Sequence, residues 1–217
     1  MDSIDIVYVI SLPERKDRRS HITNVLSRLD IKHDKVHMFD AIKRSPGYIG
    51  CALSHVGVLD HAISNRYNNI IVLEDDFNNV VSAEYFESAV DKFISRFDET
   101  YDVCLLTANN IRPTLDIDGC DSIRRAVYSK TTAGYIINKR AMQKIRDLFS
   151  FCATNLSKDM VYNEVNYEKY AIDVAWTRFQ GSKSQFYVMY PPLGTQLDGY
   201  SDIEKKNVSY NLKLNRK

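Results

Sequence analysis

Three consecutive acidic residues, Glu74, Asp75 and Asp76, follow directly on the apolar run Ile70–Leu73. This run predicts a buried strand with the acids at its carboxyl end. Two carboxylates about 4 Å apart repel by roughly 4 kcal/mol at an effective dielectric near 20, and a divalent cation such as Mg²⁺ or Mn²⁺ turns that repulsion into attraction. A metal-binding tip and a solvated acidic turn are both compatible with the triplet. Side-chain alternation along a strand predicts Glu74 and Asp76 on one side and Asp75 on the other.

A cluster of basic residues follows the first predicted strand, Ile4–Ile10. It consists of Arg15, Lys16, Arg18 and Arg19. Such a cluster can hold a phosphate or diphosphate through charge-assisted hydrogen bonds. The alternative is a solvated helix face.

His55 and its neighbour Ser54 lie at the polar edge of a helix expected over 52–63. His55 is interpreted either as a substrate-binding residue or as a structural hydrogen-bond partner. The sequence contains no G-x-S-x-G, P-loop, G-x-G-x-x-G or H-E-x-x-H motif. This argues against serine hydrolases, P-loop NTPases, dinucleotide oxidoreductases and H-E-x-x-H metalloproteases.

Predicted strands and helices alternate along the chain. Strands are expected over 4–10, 35–39, 70–73, 103–106, 135–137 and 186–190, with helices between most of them. Ser82 and Asn138 are expected to cap the helices that follow them. The polar stretch Asn109–Ser122 is expected to be a loop. The pattern predicts an α/β fold, a mostly parallel mixed sheet flanked by helices, with ligands at the carboxyl ends of the strands.

Composition is that of an ordinary folded chain. Its 217 residues predict one domain, taken as 1–204, followed by a basic C-terminal tail over 205–217. The formal net charge of +1 argues against a nucleic-acid partner. The tail is interpreted as a solvated terminus, with contact to an anionic membrane surface as the alternative.

The N-terminal segment has the wrong polarity for a signal peptide, and no apolar run approaches the length of a membrane span. The four cysteines show no Cys-x-x-Cys spacing, so the sequence predicts neither a zinc ribbon nor a redox motif. These features predict a cytoplasmic protein, and the membrane alternative for the tail would place it at the inner face of a membrane.

Several segments, taken in order, resemble glycosyltransferase family 25, the lipooligosaccharide-biosynthesis glycosyltransferases. They are VYVISLPERKDRR (7–19), GCALSH (50–55), IIVLEDD (70–76), TTAGYIINKRAM (131–142), IDVAW (172–176), and Gln196 with SDIE (201–204). Each segment is short, but together they span nearly the whole chain.

The resemblance implies a single GT-A-like, Rossmann-like domain. It also implies inverting transfer of a hexose, galactose or glucose, from a UDP-sugar to a hydroxyl of a glycan or glycolipid. The implied cofactor is Mn²⁺ or Mg²⁺, with Asp76 as a ligand. GT-A enzymes often add a histidine ligand near the C-terminus. This chain has none there, so Asp202, Asp198 or water would serve instead.

The resemblance also implies roles for other residues. Asp173, in the IDVAW segment, would be the catalytic base, with acceptor binding or helix capping as alternatives. The implied nucleotide-binding residues are Ser11, Leu12, Arg15, Arg18, Ser54, His55, Glu74 and Asp75.

Two other functional classes remain as alternatives. A phosphoacceptor receiver domain also places acids after an apolar strand, but it needs a further Asp at the end of a later strand. The strand expected at 103–106 is followed by Thr107-Ala108-Asn109 instead. A transferase-fold domain that binds a sugar nucleotide without catalysis is the second alternative.

Overall fold

The computed structural model describes residues 1–110, 113–161, 166–201, 203 and 206–208. Its strands are β1 (Ile6–Ser11), β2 (Val36–Asp40), β3 (Asn69–Glu74), β4 (Phe77–Asn79), β5 (Val103–Leu105), β6 (Asn109–Asn110), β7 (Leu115–Ile117), β8 (Cys120–Arg125), β9 (Ser129–Lys130), β10 (Gly134–Asn138), β11 (Phe186–Met189), β12 (Gly194–Gln196), β13 (Gly199–Ser201) and β14 (Lys206–Val208).

The α-helices are α1 (Lys16–Arg28), α2 (Gly47–Ser64), α3 (Ala83–Phe97), α4 (Lys139–Val161), α5 (Tyr167–Tyr170) and α6 (Ile172–Ala175). Short 3₁₀ turns cover 33–35, 98–100 and 176–179. None of the described helices combines the length and hydrophobicity that crossing a membrane requires.

In the described part of the chain, the main sheet has eight strands in the order β2-β1-β3-β10-β5-β11-β8-β7. Six strands run in one direction, while β10 and β8 run in the other. This confirms the predicted α/β fold with a mostly parallel mixed sheet.

Helices cover both faces of the sheet, because the central strands carry apolar side chains on both sides. Tyr8 and Val72 face the core that includes α2 and α4. Val7 and Ile71 face the second core, which includes α1 and α3. This two-sided burial explains why the central strands are nearly continuous apolar runs.

Two predicted helix caps are confirmed. The Ser82 hydroxyl accepts a hydrogen bond from the Tyr85 amide at 3.3 Å at the start of α3. The Asn138 side chain accepts one from the Arg140 amide at 3.0 Å at the start of α4. Each cap satisfies an amide that the first helical turn leaves without a helical partner.

The loop expected over 109–122 is the main error in the predicted elements. Strands β6 and β7 and the start of β8 lie within it, and β7 and β8 form an edge hairpin in which β8 pairs with β11. The turn contains Asp118-Gly119, with Gly119 at φ +67°, a dipeptide typical of tight hairpins. The strands were missed because they are short and carry mostly polar side chains.

The C-terminal region includes a small antiparallel pair. Strand β13 pairs with β14, so residues 206–208 contact residues on the other side of the boundary predicted at residue 204. The division into a domain and a tail stays a prediction, because most of the residues after 204 lie outside the described residues.

Candidate active site

The acidic triplet lies where two neighbouring parallel strands end. Ile10 of β1 is in register with Glu74 of β3, so Ser11 and Asp75 meet just beyond the sheet. The Ser11 hydroxyl donates a hydrogen bond to Asp75 at 2.7 Å. All three acids border one cavity, and the predicted alternation of their side chains requires an extended chain as far as Asp76. Strand β3 ends at Glu74 and the chain turns at Asp75 and Asp76, so strand geometry no longer applies.

The cavity at this edge has a volume of about 410 Å³, within the usual range for small-molecule sites. All the residues predicted to bind the nucleotide line it. They are Ser11, Leu12, Arg15, Arg18, Ser54, His55, Glu74 and Asp75. Asp76, the predicted metal ligand, lines it as well. We call this space the first cavity.

The predicted additional metal ligand, Asp202, lies outside the described residues. Its neighbours Ser201 and Ile203 both line the first cavity. The alternative ligand Asp198 is exposed and is not among the residues that line the cavity.

Arg18 of α1 supplies a buried positive charge to the first cavity. Its side chain is only 6% exposed, and its Nη2 donates to the Tyr200 carbonyl at 3.1 Å. Its Nη1 is buried without a hydrogen-bond partner among the described residues. Arg15 differs, because it forms an ion pair with Asp17 at 2.8 Å. A buried guanidinium with an unused donor is costly unless a ligand completes it.

Asp76 carries the matching unused acceptor. Its Oδ2 accepts a hydrogen bond from Gln196 Nε2 at 3.3 Å, whereas its Oδ1 is buried with no partner in the described part of the chain. Burial raises the pKa of Asp76 to about 7, and the charges of Glu74 and Asp75 act in the same direction. The positive charge of Arg18 lowers this pKa but offsets only part of the rise.

The Glu74 carboxylate is hydrogen-bonded to His55. The His55 side chain is fully buried, with Nε2 3.2 Å from Glu74 Oε1 and Nδ1 3.0 Å from the Tyr135 hydroxyl. The Thr132 hydroxyl donates to the same Glu74 oxygen at 2.6 Å. Burial alone would raise the pKa of Glu74, but the hydrogen bonds from His55 and Thr132 lower it overall. His55 thus contacts Glu74 directly, and its role as a ligand-binding residue stays a prediction.

Ser54 has its hydroxyl engaged within the fold. It accepts a hydrogen bond from the Ile42 amide at 2.8 Å and donates one to the Gly50 carbonyl at 2.7 Å. These bonds fix the segment 41–44, which lines the first cavity, against α2. Direct contact between Ser54 and a ligand stays a prediction.

A second cavity of about 230 Å³ adjoins the first. Asp173, the predicted base, lines it at the start of α6, and Cys51 and Glu74 line both cavities. Burial raises the pKa of Asp173. The hydrogen bond that its Oδ2 accepts from the Thr131 amide at 3.3 Å lowers the pKa by a smaller amount. Asp76 therefore lines the first cavity and Asp173 the second, and Glu74 borders both.

Hydrogen bonds connect these two carboxylates. The Thr131 amide donates to Asp173, the Thr131 hydroxyl donates to Gln196 Oε1 at 3.0 Å, and Gln196 Nε2 donates to Asp76. Thr131 has φ +83°, a conformation that costs free energy in a β-branched residue and often marks a functional site. Sequence reasoning missed Thr131 and Thr132, because no local signal reports a positive φ at threonine.

The chain is similar to several known proteins. Residues 44–162 match the family described as glycosyltransferase family 25 (LPS biosynthesis protein). Procollagen galactosyltransferase 1 of Danio rerio is 23% identical, over 94% of this chain and 39% of that protein. Procollagen galactosyltransferase 2 of Homo sapiens is 24% identical, over 65% of this chain and 27% of that protein. The chain thus spans less than half the length of these relatives.

Among solved structures, a glycosyltransferase involved in the glycosylation of the major capsid of PBCV-1 aligns with a TM-score of 0.48 and 9% identity, over 92% of this chain and 96% of that one. The family match covers more than half of the residues, including α2, β3 and the acidic triplet. The chain therefore belongs to glycosyltransferase family 25.

Proposed function

We propose that this protein is a metal-dependent, inverting glycosyltransferase that moves a hexose, galactose or glucose, from a UDP-sugar to a hydroxyl of a glycan or glycolipid. The observation that carries the proposal is the pair of unused polar atoms at the first cavity. Arg18 Nη1 offers a donor and Asp76 Oδ1 offers an acceptor, both buried without partners among the described residues. A diphosphate and its divalent cation would satisfy both atoms at once.

The residues at the acidic triplet fit a hard divalent cation. Asp76 would hold Mn²⁺ or Mg²⁺ through its unused oxygen, with Asp202 as the proposed additional ligand. When bound, the cation supplies charge stabilisation for the leaving diphosphate. Arg18, with Arg15 at the same cavity, would offset the charge that develops on that group. Glu74, oriented by His55 and Thr132, would contact the nucleotide portion of the donor.

Asp173 is proposed as the general base for the acceptor hydroxyl. It lies in the second cavity, so an acceptor bound there would approach a donor bound in the first across Glu74. Burial raises the pKa of Asp173, which makes its carboxylate a better proton acceptor. Attack from the side opposite the leaving group gives a single displacement with inversion at the anomeric carbon.

The receiver-domain alternative loses its support. Membership of glycosyltransferase family 25 argues against it, and β5 is followed by Leu106, Thr107 and Ala108 rather than by an acid. Binding without catalysis is separated from the proposed activity by experiment. A nucleotide-binding domain without turnover would be stabilised by the donor but would release no nucleoside diphosphate.

The test of the proposed function is a panel of nucleotide sugars. Each is incubated with the protein with and without Mn²⁺, and thermal stabilisation and nucleoside diphosphate release are measured. We expect a UDP-hexose with Mn²⁺ to raise the melting temperature and to be turned over. If no nucleotide sugar stabilises the protein, the proposed function is wrong. Analysis of the anomeric configuration of the product tests inversion.

We also propose a cytoplasmic location, with contact between the basic tail and the inner face of a membrane that carries a lipid-linked acceptor. The support is the number of basic residues after 204, each worth about 1 kcal/mol near an anionic surface. Co-sedimentation with vesicles containing anionic lipid, compared with neutral vesicles, tests this contact. Equal binding to both vesicle types would contradict it.

Replacing Gly50 with alanine is expected to lower donor affinity by about 10-fold or more. A Cβ at this position would lie 2.3 Å from the Ile42 carbonyl oxygen, so the segment of the cavity wall that contains Ile42 would have to move. Calorimetric titration with the donor nucleotide measures this. Gly57→Ala on the same helix is the control, since its Cβ meets the Phe39 ring away from that cavity. It should lower thermal stability and leave donor affinity within about 2-fold. Equal affinity losses in both variants would contradict the prediction.

Gln196→Leu is expected to weaken Mn²⁺ binding by about 10-fold, because it removes the amide that holds Asp76 Oδ2 in place. It should also lower turnover, since the same side chain holds Thr131 beside Asp173. Mn²⁺ titration followed by electron paramagnetic resonance measures the first effect without reference to activity. Gln143→Leu, on the exposed face of α4, is the control and should leave Mn²⁺ affinity unchanged. Unaltered Mn²⁺ affinity in Gln196→Leu would refute the positioning role.

A further inference from the structure

Three potential metal ligands of different chemical types lie together at the boundary between the two cavities. The thiol of Cys51, the imidazole of His55 and the carboxylate of Glu74 have ligand atoms within 4.8 Å of one another. We propose that these three residues form a second cation site, selective for Zn²⁺ and distinct from the oxygen-ligand site at Asp76. The binding itself does not depend on the proposed transferase activity.

The helix and the strand bring the ligands to one point. Cys51 and His55 are four residues apart on α2, so their side chains lie on the same face of the helix. Glu74 approaches from the end of β3, which packs beneath that face. The sequence has neither Cys-x-x-Cys spacing nor an H-E-x-x-H motif, and neither pattern would indicate this mixed set of ligands. The i, i+4 spacing of Cys51 and His55 was the signal available.

The distances agree with tetrahedral coordination. His55 Nε2 and Glu74 Oε1 are 3.2 Å apart. With Zn–N and Zn–O bonds of about 2.0–2.1 Å, two ligands of a tetrahedral zinc ion lie about 3.3 Å apart. These two atoms are therefore already at ligand spacing. The Cys51 sulfur must approach to about 3.6 Å of each, which follows from a Zn–S bond of about 2.3 Å. Side-chain rotation of Cys51 can supply a movement of this size.

A second layer of hydrogen bonds orients the ligands. The Tyr135 hydroxyl lies 3.0 Å from His55 Nδ1, and Tyr135 itself is fully buried. With Zn²⁺ on Nε2, Nδ1 carries the ring proton and donates to the tyrosine oxygen, an arrangement common for histidine ligands of metals. The Thr132 hydroxyl donates to Glu74 and restrains its carboxylate.

The donor set decides which cation is preferred. A thiolate and an imidazole favour Zn²⁺ over Mn²⁺ or Mg²⁺, which prefer oxygen ligands. On binding, Zn²⁺ replaces the proton of the Cys51 thiol, and that proton leaves to solvent. The fourth coordination position faces the cavities, because Cys51 and Glu74 line both of them. Zn²⁺ would then withdraw Glu74 from the donor, so it is expected to inhibit any transferase activity.

Cobalt substitution tests the site by spectroscopy. Co²⁺ is titrated into the purified, metal-free protein, and the absorption spectrum is recorded. We expect one equivalent of Co²⁺ to produce a thiolate-to-cobalt charge-transfer band and the intense visible bands of tetrahedral cobalt. One equivalent of Zn²⁺ should remove these bands, whereas an excess of Mn²⁺ should not. A wild-type protein that shows no thiolate band overturns the proposal, whatever the variants do.

Variants identify the ligands. Cys51→Ser should abolish the thiolate band and lower Zn²⁺ affinity by more than about 100-fold, beyond the 10- to 100-fold effects of second-layer changes. Cys120→Ser, at another partly buried free cysteine, is the matched control and should keep the band. Tyr135→Phe retains the ring and should lower Zn²⁺ affinity by about 10-fold while leaving Mn²⁺ affinity unchanged. A thiolate band that persists in Cys51→Ser or disappears in Cys120→Ser overturns the assignment.

Discussion

Replacing Asp76 with asparagine is expected to lower Mn²⁺-dependent release of nucleoside diphosphate by at least about 1,000-fold, because the variant loses the charge that would hold the cation beside the leaving group. The change is nearly isosteric and keeps an oxygen that can accept from Gln196, so the fold should persist. Turnover assays with the donor found in the panel measure the loss. Near-normal turnover would show that Asp76 is not the ligand of the cation.

The same substitution should stabilise the cation-free protein at pH 8. The pKa of Asp76 rises from an ordinary 3.8 to about 7 in the folded protein, so folding favours the protonated carboxyl group. The resulting contribution to stability is complete below about pH 4 and is lost as the pH rises through about 7. The ionised group then costs on the order of 4 kcal/mol at most. Chemical unfolding with and without Mn²⁺ measures this cost. Asp34→Asn, at an exposed position, is the control and should change neither stability nor turnover. A destabilised Asp76→Asn protein at pH 8 would contradict the prediction.

Asp173→Asn is expected to lower kcat by about 100- to 10,000-fold, the range typical of a lost general base, with donor affinity changed by less than about 2-fold. The separation follows from geometry, because Asp173 lines the second cavity and does not line the first. Steady-state kinetics with varied donor and acceptor, together with calorimetric titration of the donor, measure both quantities.

The pH dependence of kcat distinguishes a base from a binding residue. Because burial raises the pKa of Asp173, the wild-type kcat should fall on the acidic side as this carboxylate becomes protonated. The remaining activity of Asp173→Asn should lack that acidic decline. Equal losses of turnover and donor affinity, with an unchanged pH profile, would indicate that Asp173 binds substrate instead.

The sequence predicts which residues line the first cavity, because most of that cavity is formed at strand ends. An apolar strand followed by acids places Glu74 at the carboxyl edge of the sheet, and the basic turn after β1 must reach the same edge in a parallel arrangement. All eight predicted nucleotide-binding residues consequently line one cavity. The panel of nucleotide sugars tests whether these residues bind a nucleotide.

The second cavity could not be predicted from local sequence patterns. The contacts of Asp173 depend on Thr131, whose positive φ is imposed by its surroundings rather than by its own preference. The edge strands β7 and β8 were missed because their alternation is weak and their side chains are largely polar. The hydrogen bonds of His55 to Glu74 and Tyr135 join distant parts of the chain, and single-sequence periodicity carries no record of such pairings.

The reversed strand β10 has a consequence for how this enzyme family can diversify. Since β10 runs against β3, its preceding segment, which contains Thr131, returns to the same edge of the sheet as the acidic triplet. The wall around the first cavity comes mainly from residues before 77, whereas most of the second is encoded after 108. If the proposed function holds, exchange of the later gene segment between paralogues is expected to change acceptor choice while donor binding is retained.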